Sequence, residues 1–581
     1  MARMAISIAL LWAAVVAAGG CGSANHGGGG GSGGTGGGGS AGSGGGGGGG
    51  AGCAPSCGGL VCGDDGCGGS CGACPADQLC SSGACTALPG NAIVVDAGNG
   101  RHAIHPEVYG LAFATPATLT ALNVPLNRWG GDGTTLFNWQ TNVGNHDFSY
   151  YYENIPGDSA DDFVSANQGA GAATLMTIPT IGFTPLANSA TNHPYTCGYP
   201  TDKYPSQQMV DPYDSHCGNG KDSSGNLIAG DPTNDSMTVT PTFEASWVQH
   251  LGSGVTMFQL DNEMTLWPST HHDVRATPVS SDDVWSATMN YAPVIKSNNA
   301  SAYVLGYTAW YALDLFVSGL DTANNNSADQ MAHGGIPLAQ WYLRQLKTYQ
   351  TQNGVRLVDC LDFHYYPQGG DPLQNTRSMW DATYHDPSWF NDFMNEPMQL
   401  LPRIQGWIAA EYPGTDVCVS EYNWDLNDAT NPVAGLVEAD VLGLWGKYGV
   451  RLAAYWTTPV DGSGAPTPAY RAFQLYRNAD GAGHGFGDTS VTAASPVATA
   501  AVYGAIDSPT GALTVMVINK DTAALSVPLA LLNFSAGATA QVWQVVEGGA
   551  PTTPADYAVA SDMIALSVPA HAMQLIVIPK M

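Results

Sequence analysis

Between residues 108 and 456 the chain carries eight short apolar runs, at 108–113, 124–129, 173–178, 256–261, 303–307, 358–364, 416–421 and 451–456. Several are separated by stretches with helical spacing of apolar side chains, as at 338–352, 390–411 and 438–448. Few folds accept that alternation. Buried apolar strands joined by helices must run parallel, because each helix carries the chain back across the sheet. Eight such units over roughly 350 residues point to a (β/α)8 TIM barrel. An open doubly wound sheet would call for a glycine-rich phosphate loop after the first strand, and none is present.

Chemistry in such a barrel sits at the carboxyl ends of the strands, and polar and aromatic residues collect there. Arg128 and Trp129 end the second run and Asn262 and Glu263 follow the fourth. His364, Tyr365 and Tyr366 close the sixth, 421–424 (EYNW) the seventh, and Trp456 the eighth. Two glutamates at opposite strand ends, flanked by an amide and by tryptophans, suit cleavage of a glycosidic bond, which needs carboxyl groups on both sides of the scissile linkage. Separation of the two by ~5–5.5 Å gives retention through a covalent intermediate. The Asn262 amide beside them can hydrogen-bond a sugar hydroxyl, and Arg128, permanently charged, can orient a carboxylate and keep it deprotonated. Trp129, Trp424 and Trp456 are candidates to stack on sugar faces. Tyr365 and Tyr422 are added as substrate contacts, although Tyr365 and Tyr366 cannot both face one cleft from a straight strand. His364 reads equally as a core histidine or as a partner of a catalytic carboxylate. Asp261, Asp362, Asp425 and Asp461 read as structural or supporting.

Beyond the eighth run helical periodicity gives way to alternation, as at 513–518, 540–545 and 573–579. That pattern predicts an antiparallel β-sandwich at 469–581. Residues 91–100 are expected to join it, leaving 101–468 to the barrel.

The N-terminal segment differs in texture. Arg3, an apolar stretch at 5–18 and Gly19-Gly20-Cys21 have the layout of an export peptide (1–21), too short to span a bilayer. Lipid attachment at Cys21 and ordinary secretion both remain open, and either places the protein outside a bacterial cytoplasm. Residues 22–52 are a Gly/Ser-rich, disordered tether with too few side chains to form a core. Residues 53–85 hold eight cysteines, an even number that in an exported chain predicts four disulfides rather than a zinc site. This module lacks Trp, Tyr and Phe, so it offers no ring on which a sugar could stack. With 48 acidic against 18 basic residues, the formal charge of -30 argues against nucleic acid or anionic lipid surfaces as partners.

The motifs NRWGGDGTTLFNWQ (127–140), LDNEMTLWPSTHHDV (260–274), DFHYYPQ (362–368), SEYNW (420–424) and FQLYRNADGAGHGFGDTSV (473–491) resemble those of glycoside hydrolase family 44. The likeness covers about residues 91–581. It implies a retaining endo-β-1,4-glucanase or xyloglucanase built as barrel plus sandwich, with Glu263 as general acid/base and Glu421 as nucleophile. Met264 departs from the proline usual after that acid. The resemblance implies no cofactor for catalysis, a β-glucan polysaccharide as partner and a monomer. It also implies a structural calcium held by Asp231 and Asp235 with Glu153; the alternative is that 218–235 is a plain solvated loop. A xylanase or mannanase using the same pair, and a non-catalytic polysaccharide-binding surface protein, are the competing functions. Cys197 and Cys217 are placed to close a disulfide. Cys360 lies four residues before His364 and Cys418 three before Glu421, so alternation predicts that these two thiols face opposite sides of the sheet and stay free.

Overall fold

The computed structural model describes residues 57–61, 78–81, 84–187, 193–424 and 430–581. The export peptide, Cys21, the tether, most of the cysteine module and Asp425 lie outside the described residues. The chain divides into two compact units, Met1–Leu88 and Pro89–Met581. In the first, Gln78–Ser81 and Ala84–Ala87 form an antiparallel hairpin with Cys80 opposite Cys85, and Cys57 and Cys85 each take part in a disulfide.

The second unit contains the barrel. Its strands are β1 (Gly110–Ala112), β2 (Leu126–Trp129), β3 (Ala173–Ile178), β4 (Met257–Leu260), β5 (Tyr303–Ala309), β6 (Cys360–Tyr365), β7 (Asp416–Tyr422) and β8 (Leu452–Tyr455). They close in sequence order with every pairing parallel. Each is followed by a helix: α1 (Pro116–Leu122), α2 (Ala160–Gly169), α3 (Pro241–Leu251), α4 (Ser281–Asn298), α5 (Leu338–Asn353), α6 (Leu400–Glu411), α7 (Pro432–Lys447) and α8 (Pro468–Arg477). Helix starts are written locally: Thr115, Ser159, Ser280, Asn431 and Thr467 each accept a first-turn N–H, and Pro116, Pro432 and Pro468 occupy the first turn. Helix α8 belongs to the barrel, so helical structure persists past the boundary drawn at 468. None of the described helices is long and apolar enough to cross a membrane.

Inside the barrel the side chains stack in layers. Leu126, Leu175, Met257, Leu305, Cys360, Cys418 and Leu452, one from each of seven strands, form an apolar floor. Two residues further along come Arg128, Thr177, Gln259, Asp362 and Ser420, joined by Thr308, and these polar side chains satisfy one another.

The floor also corrects the reading of the cysteines. Cys360 and Cys418 form a disulfide with Cα atoms 6.0 Å apart. The β6–β7 register runs Asp362 opposite Cys418 and then His364 opposite Glu421, so β7 spends one extra residue over this interval. That bulge reverses the alternation on which the prediction of free thiols rested. Cys197–Cys217 is also bonded, as expected.

Of the remaining described strands, ten form one sheet, while the insertions after β2 and β3 carry a three-stranded and a two-stranded sheet. Ile93–Asp96 lies between Leu525–Leu532, parallel, and Thr489–Ala494, antiparallel, so the start of the unit does join its end. Thr489–Ala494 also pairs with Ala500–Ile506, turning the sheet back on itself around Ile93, Val95, Val515, Leu529, Ile564 and Ile576. On the opposite face Met516, Ile518, Met573 and Leu575 merge with the apolar cluster around the barrel helices.

Candidate active site

The upper layer of the barrel brings Asn262, Glu263, His364 and Glu421 together over the polar layer. Arg128, fully buried, is the hub. Its Nη1 donates to Glu421 Oε2 at 2.6 Å, Nη2 to Asn262 Oδ1 at 2.8 Å and Nε to Gln259 Oε1 at 2.9 Å. The local sequence makes room for this. A Cβ on Gly130 would sit 2.2 Å from the guanidinium carbon, and one on Gly131 would sit 2.5 Å from the Trp456 ring, where φ is also +92°. Only glycine fits either place, which accounts for the Gly-Gly after Arg128-Trp129.

Glu263 follows β4 on a left-handed backbone with φ of 45°, and Asp261 shares that conformation at φ 59°. Such backbone costs roughly 1–3 kcal/mol at each non-glycine residue. Hydrogen bonds to Asp261 hold the bend: the Thr135 hydroxyl (2.7 Å), the Thr180 N–H (2.5 Å) and hydroxyl (3.0 Å), and the Asn262 N–H (2.8 Å). Asp261 thus supports the loop that presents the acid.

The two glutamates differ in environment. Glu421 accepts from Arg128 and from the Tyr366 hydroxyl, so its negative charge is compensated. Glu263 has its carboxyl 2.7 Å from His364 Nδ1, and burial, then Asp132, then Glu421 push its pKa well above the ordinary carboxylate range. His364 Nδ1 is also 3.8 Å from Glu421 Oε2, and an oxygen of each glutamate and this nitrogen lie within 4.8 Å of one another. Burial and the neighbouring Arg128 push the His364 pKa well down, so its ring is neutral. Glu421 is thus paired with a permanent cation, whereas the surroundings of Glu263 favour its protonated form.

Asp132 completes the group. Its Oδ1 accepts from Asn262 Nδ2 at 2.9 Å, which fixes the amide with its oxygen toward Arg128. Burial and Glu421 push Asp132 up to about 7. Sequence reasoning missed this residue, and also chose the wrong tyrosine. Tyr365 is fully buried and turned out of the barrel toward Asp386, whereas Tyr366 reaches Glu421. Alternation counted from Asp362 and His364 puts Tyr366, not Tyr365, on the inner face. Tyr422 is likewise buried, its hydroxyl donating to Glu438 on α7 at 2.8 Å. Trp424 is buried against Tyr365, Tyr422 and Trp445, and Trp129 against Phe113, Phe137 and Phe163. Those rings form aromatic packing beside the site. Trp456 is half-buried, 5.8 Å from the Arg128 guanidinium, and remains at the cleft.

A separate acidic cluster brings Glu153, from the segment between β2 and α2, to His193, Asp211 and Asp214 of the insertion after β3. Glu153, His193 and Asp214 place donor atoms within 4.8 Å of one another. Glu153 is buried, its Oε1 has no hydrogen-bond partner, and burial together with Asp211 and Asp214 pushes it up to about 8. Asp231 and Asp235 stand apart from this cluster. Asp231 spends its carboxylate on the N–H and hydroxyl of Thr233, at 3.0 and 2.7 Å. Asp235 accepts from Asn145 at 3.0 Å and is pushed well up by burial and Asp273. Local turn capping and burial claim the two aspartates that the loop sequence offered.

The sequence profile of glycoside hydrolase family 44 matches residues 141–369. Endoglucanase A of Paenibacillus lautus is 27% identical over 464 residues, 72% of this chain and 62% of that protein. The β-mannanase/endoglucanase A of Caldicellulosiruptor saccharolyticus is 27% identical over 475 residues, 74% of this chain and 34% of its own length. The chain therefore spans less than two thirds of either relative. Among solved structures, CelM2, a bifunctional glucanase-xylanase from a metagenome library, is 36% identical, covers 85% of this chain and all of its own, and superposes with a TM-score of 0.80.

Proposed function

Since this chain belongs to glycoside hydrolase family 44, we propose that it cleaves internal β-1,4 linkages of a cellulose-like glucan or xyloglucan with retention of configuration. The observation that carries the reading is the proximity of Glu263 and Glu421, with oxygens within 4.8 Å, on the short side of the separation a retaining pair requires. Glu421 attacks the anomeric carbon while Glu263 protonates the departing glycosidic oxygen, leaving a glycosyl ester. The ester no longer carries the negative charge that helped to raise Glu263. Glu263, now ionised, takes a proton from water, and that water displaces Glu421. Asn262, held by Asp132 and Arg128, faces the sugar 2-hydroxyl, and Trp456 offers a ring for stacking.

A xylanase or mannanase activity is the second reading, favoured by the dual activities named for two of the relatives. The intact carboxyl pair weighs against a purely binding role. The oxygen-rich cluster of Glu153, Asp211 and Asp214 fits a structural calcium, a hard cation that takes carboxylate oxygens, and the unpartnered Glu153 Oε1 is one such ligand. The N-terminal export pattern supports a secreted or surface-tethered protein.

Reducing-end release from glucan, xyloglucan, xylan and mannan ranks the substrates. Glu421→Ala is expected to lower turnover by about three powers of ten or more while leaving polymer affinity in place. Proton NMR of the first product should show the β-anomer; an α-anomer overturns the double displacement.

A further inference from the structure

The proton that Glu263 must deliver has a place in the resting protein, and the surrounding hydrogen bonds determine where. Arg128 can only donate, so Gln259 Oε1 accepts from its Nε and the Gln259 amide nitrogen donates to Thr308 Oγ1 at 3.0 Å. Thr308 in turn donates to Asp362 Oδ2 at 3.0 Å. Asp362 also receives the Ser420 N–H on Oδ1 at 3.0 Å and the Ser420 hydroxyl on Oδ2 at 2.7 Å. Three donors on one carboxyl group identify it as the acceptor throughout. The single Ser420 hydroxyl proton is therefore committed to Asp362.

His364 Nε2 lies 3.1 Å from Ser420 Oγ. With that hydroxyl proton committed elsewhere, the contact is attractive only if Nε2 carries the imidazole proton and donates. A neutral ring then has a bare Nδ1, and Nδ1 faces Glu263 Oε1 at 2.7 Å. The opposite tautomer would leave lone pairs facing each other at 3.1 Å. It would keep the contact with Glu263, donated by Nδ1, but on the Nε2 side it would gain only a weak contact from Arg128 Nη2 at 3.5 Å, a nitrogen already donating to Asn262 at 2.8 Å. The shorter contact decides the polarity.

We propose that His364 is a positioning residue held as the Nε2–H tautomer by the Ser420–Asp362 chain, so that its bare Nδ1 accepts the acid proton of Glu263 and keeps that carboxyl group loaded. This rests on the assignment of Glu263 as the acid. The proton stays on Glu263 Oε1, pointed at Nδ1, until a glycosidic oxygen replaces the nitrogen as acceptor. Once it has left, the Nδ1 lone pair faces a carboxylate, a repulsion that adds to those from Asp132, Asp314 and Glu421 and opposes Arg128. Tyr366 donates to Glu421 and leaves the Glu263 proton where it is.

Two experiments test it. In the substrate-free full-length protein, nitrogen-15 NMR of the His364 ring, identified by its loss in His364→Gln, should show a protonated Nε2 and a bare Nδ1 at neutral pH. A ring protonated at Nδ1, alone or with Nε2, overturns the proposal whether or not the protein hydrolyses any polymer. In Ser420→Ala the acceptor for Nε2–H is gone, and the ring is free to turn its proton toward Glu263. The alkaline limb of kcat/KM should then fall by about one pH unit. A folded Ser420→Ala protein with an unmoved limb overturns the proposal, and if this variant does not fold, the tautomer measurement decides alone.

Discussion

Glu438 and Glu263 are both buried glutamates beside tyrosines, yet they have different consequences. Among the described residues no cation pairs with Glu438 on α7; it receives the Tyr422 hydroxyl, and burial pushes it up to about 8. A carboxyl group raised in the folded state binds a proton that the unfolded chain releases near its ordinary value, so its protonated form is tolerated at no cost only at low pH. As pH rises from about 4.5 towards 8 the unfolded state ionises first, and folding stability falls by an amount on the order of a few kcal/mol. Glu438→Gln should remove that slope. Urea unfolding at pH 5 and pH 8 is expected to show a smaller loss of stability in the variant than in the parent, and equal losses would contradict the assignment. The same physics at Glu263 is useful: burial and like charges hold a proton where an acid is needed. Alternation along β6 identifies which tyrosine serves that centre. Asp132 left no comparable sign, since its partner Asn262 lies 130 positions away and no local pattern ties them.

At the scale of elements, helix α7 joins the barrel to the β-sheet. Its Asp440 accepts from Tyr503 at 2.6 Å and from Lys520 at 2.6 Å, both from sheet strands or their ends, and both members of the ion pair are buried. A Cβ on Gly443, one turn along, would meet the Tyr503 ring at 2.2 Å, so this helix face is shaped for that ring. Removing one partner of a buried ion pair strands the other, at about 3–5 kcal/mol. Asp440→Ala is therefore expected to lower thermal stability strongly, and by much more than breaking the exposed Arg344–Glu411 pair, which should cost about 1 kcal/mol or less. Calorimetry of the two variants compares them directly. Elements were the level at which the chain was easiest to read. All eight strands follow from short apolar runs, because a strand buried on both faces is mostly apolar, and three of the helices between them follow from helical spacing at 338–352, 390–411 and 438–448. The bulges between β6 and β7 were not readable, since an extra residue in one strand is visible only against its neighbour, and with them went the pairing of Cys360 with Cys418.

For the whole molecule, the insertion after β3 is stapled by Cys197–Cys217 and contributes His193 and Asp214 to the cluster with Glu153. If calcium binds there, mass action stabilises the folded state by RT ln(1 + [L]/Kd), about 2.7 kcal/mol at a hundredfold excess over Kd. Adding calcium to chelator-treated protein should raise Tm, and Asp214→Asn should abolish the increase without altering Tm in chelator to a similar extent. An unchanged Tm in the parent removes the metal from the account. The amino-acid sequence alone determined the barrel, the order of its units, the added β-sheet and the two glutamates, because apolar periodicity and strand-end position are local properties that a chain carries unfolded. Only the tertiary structure decided which ring touches Glu421, which carboxylates surround Glu153, that Cys360 pairs with Cys418 and which way the proton on His364 points. Each of these depends on distances between residues remote in the chain, and packing sets those distances only when the barrel closes.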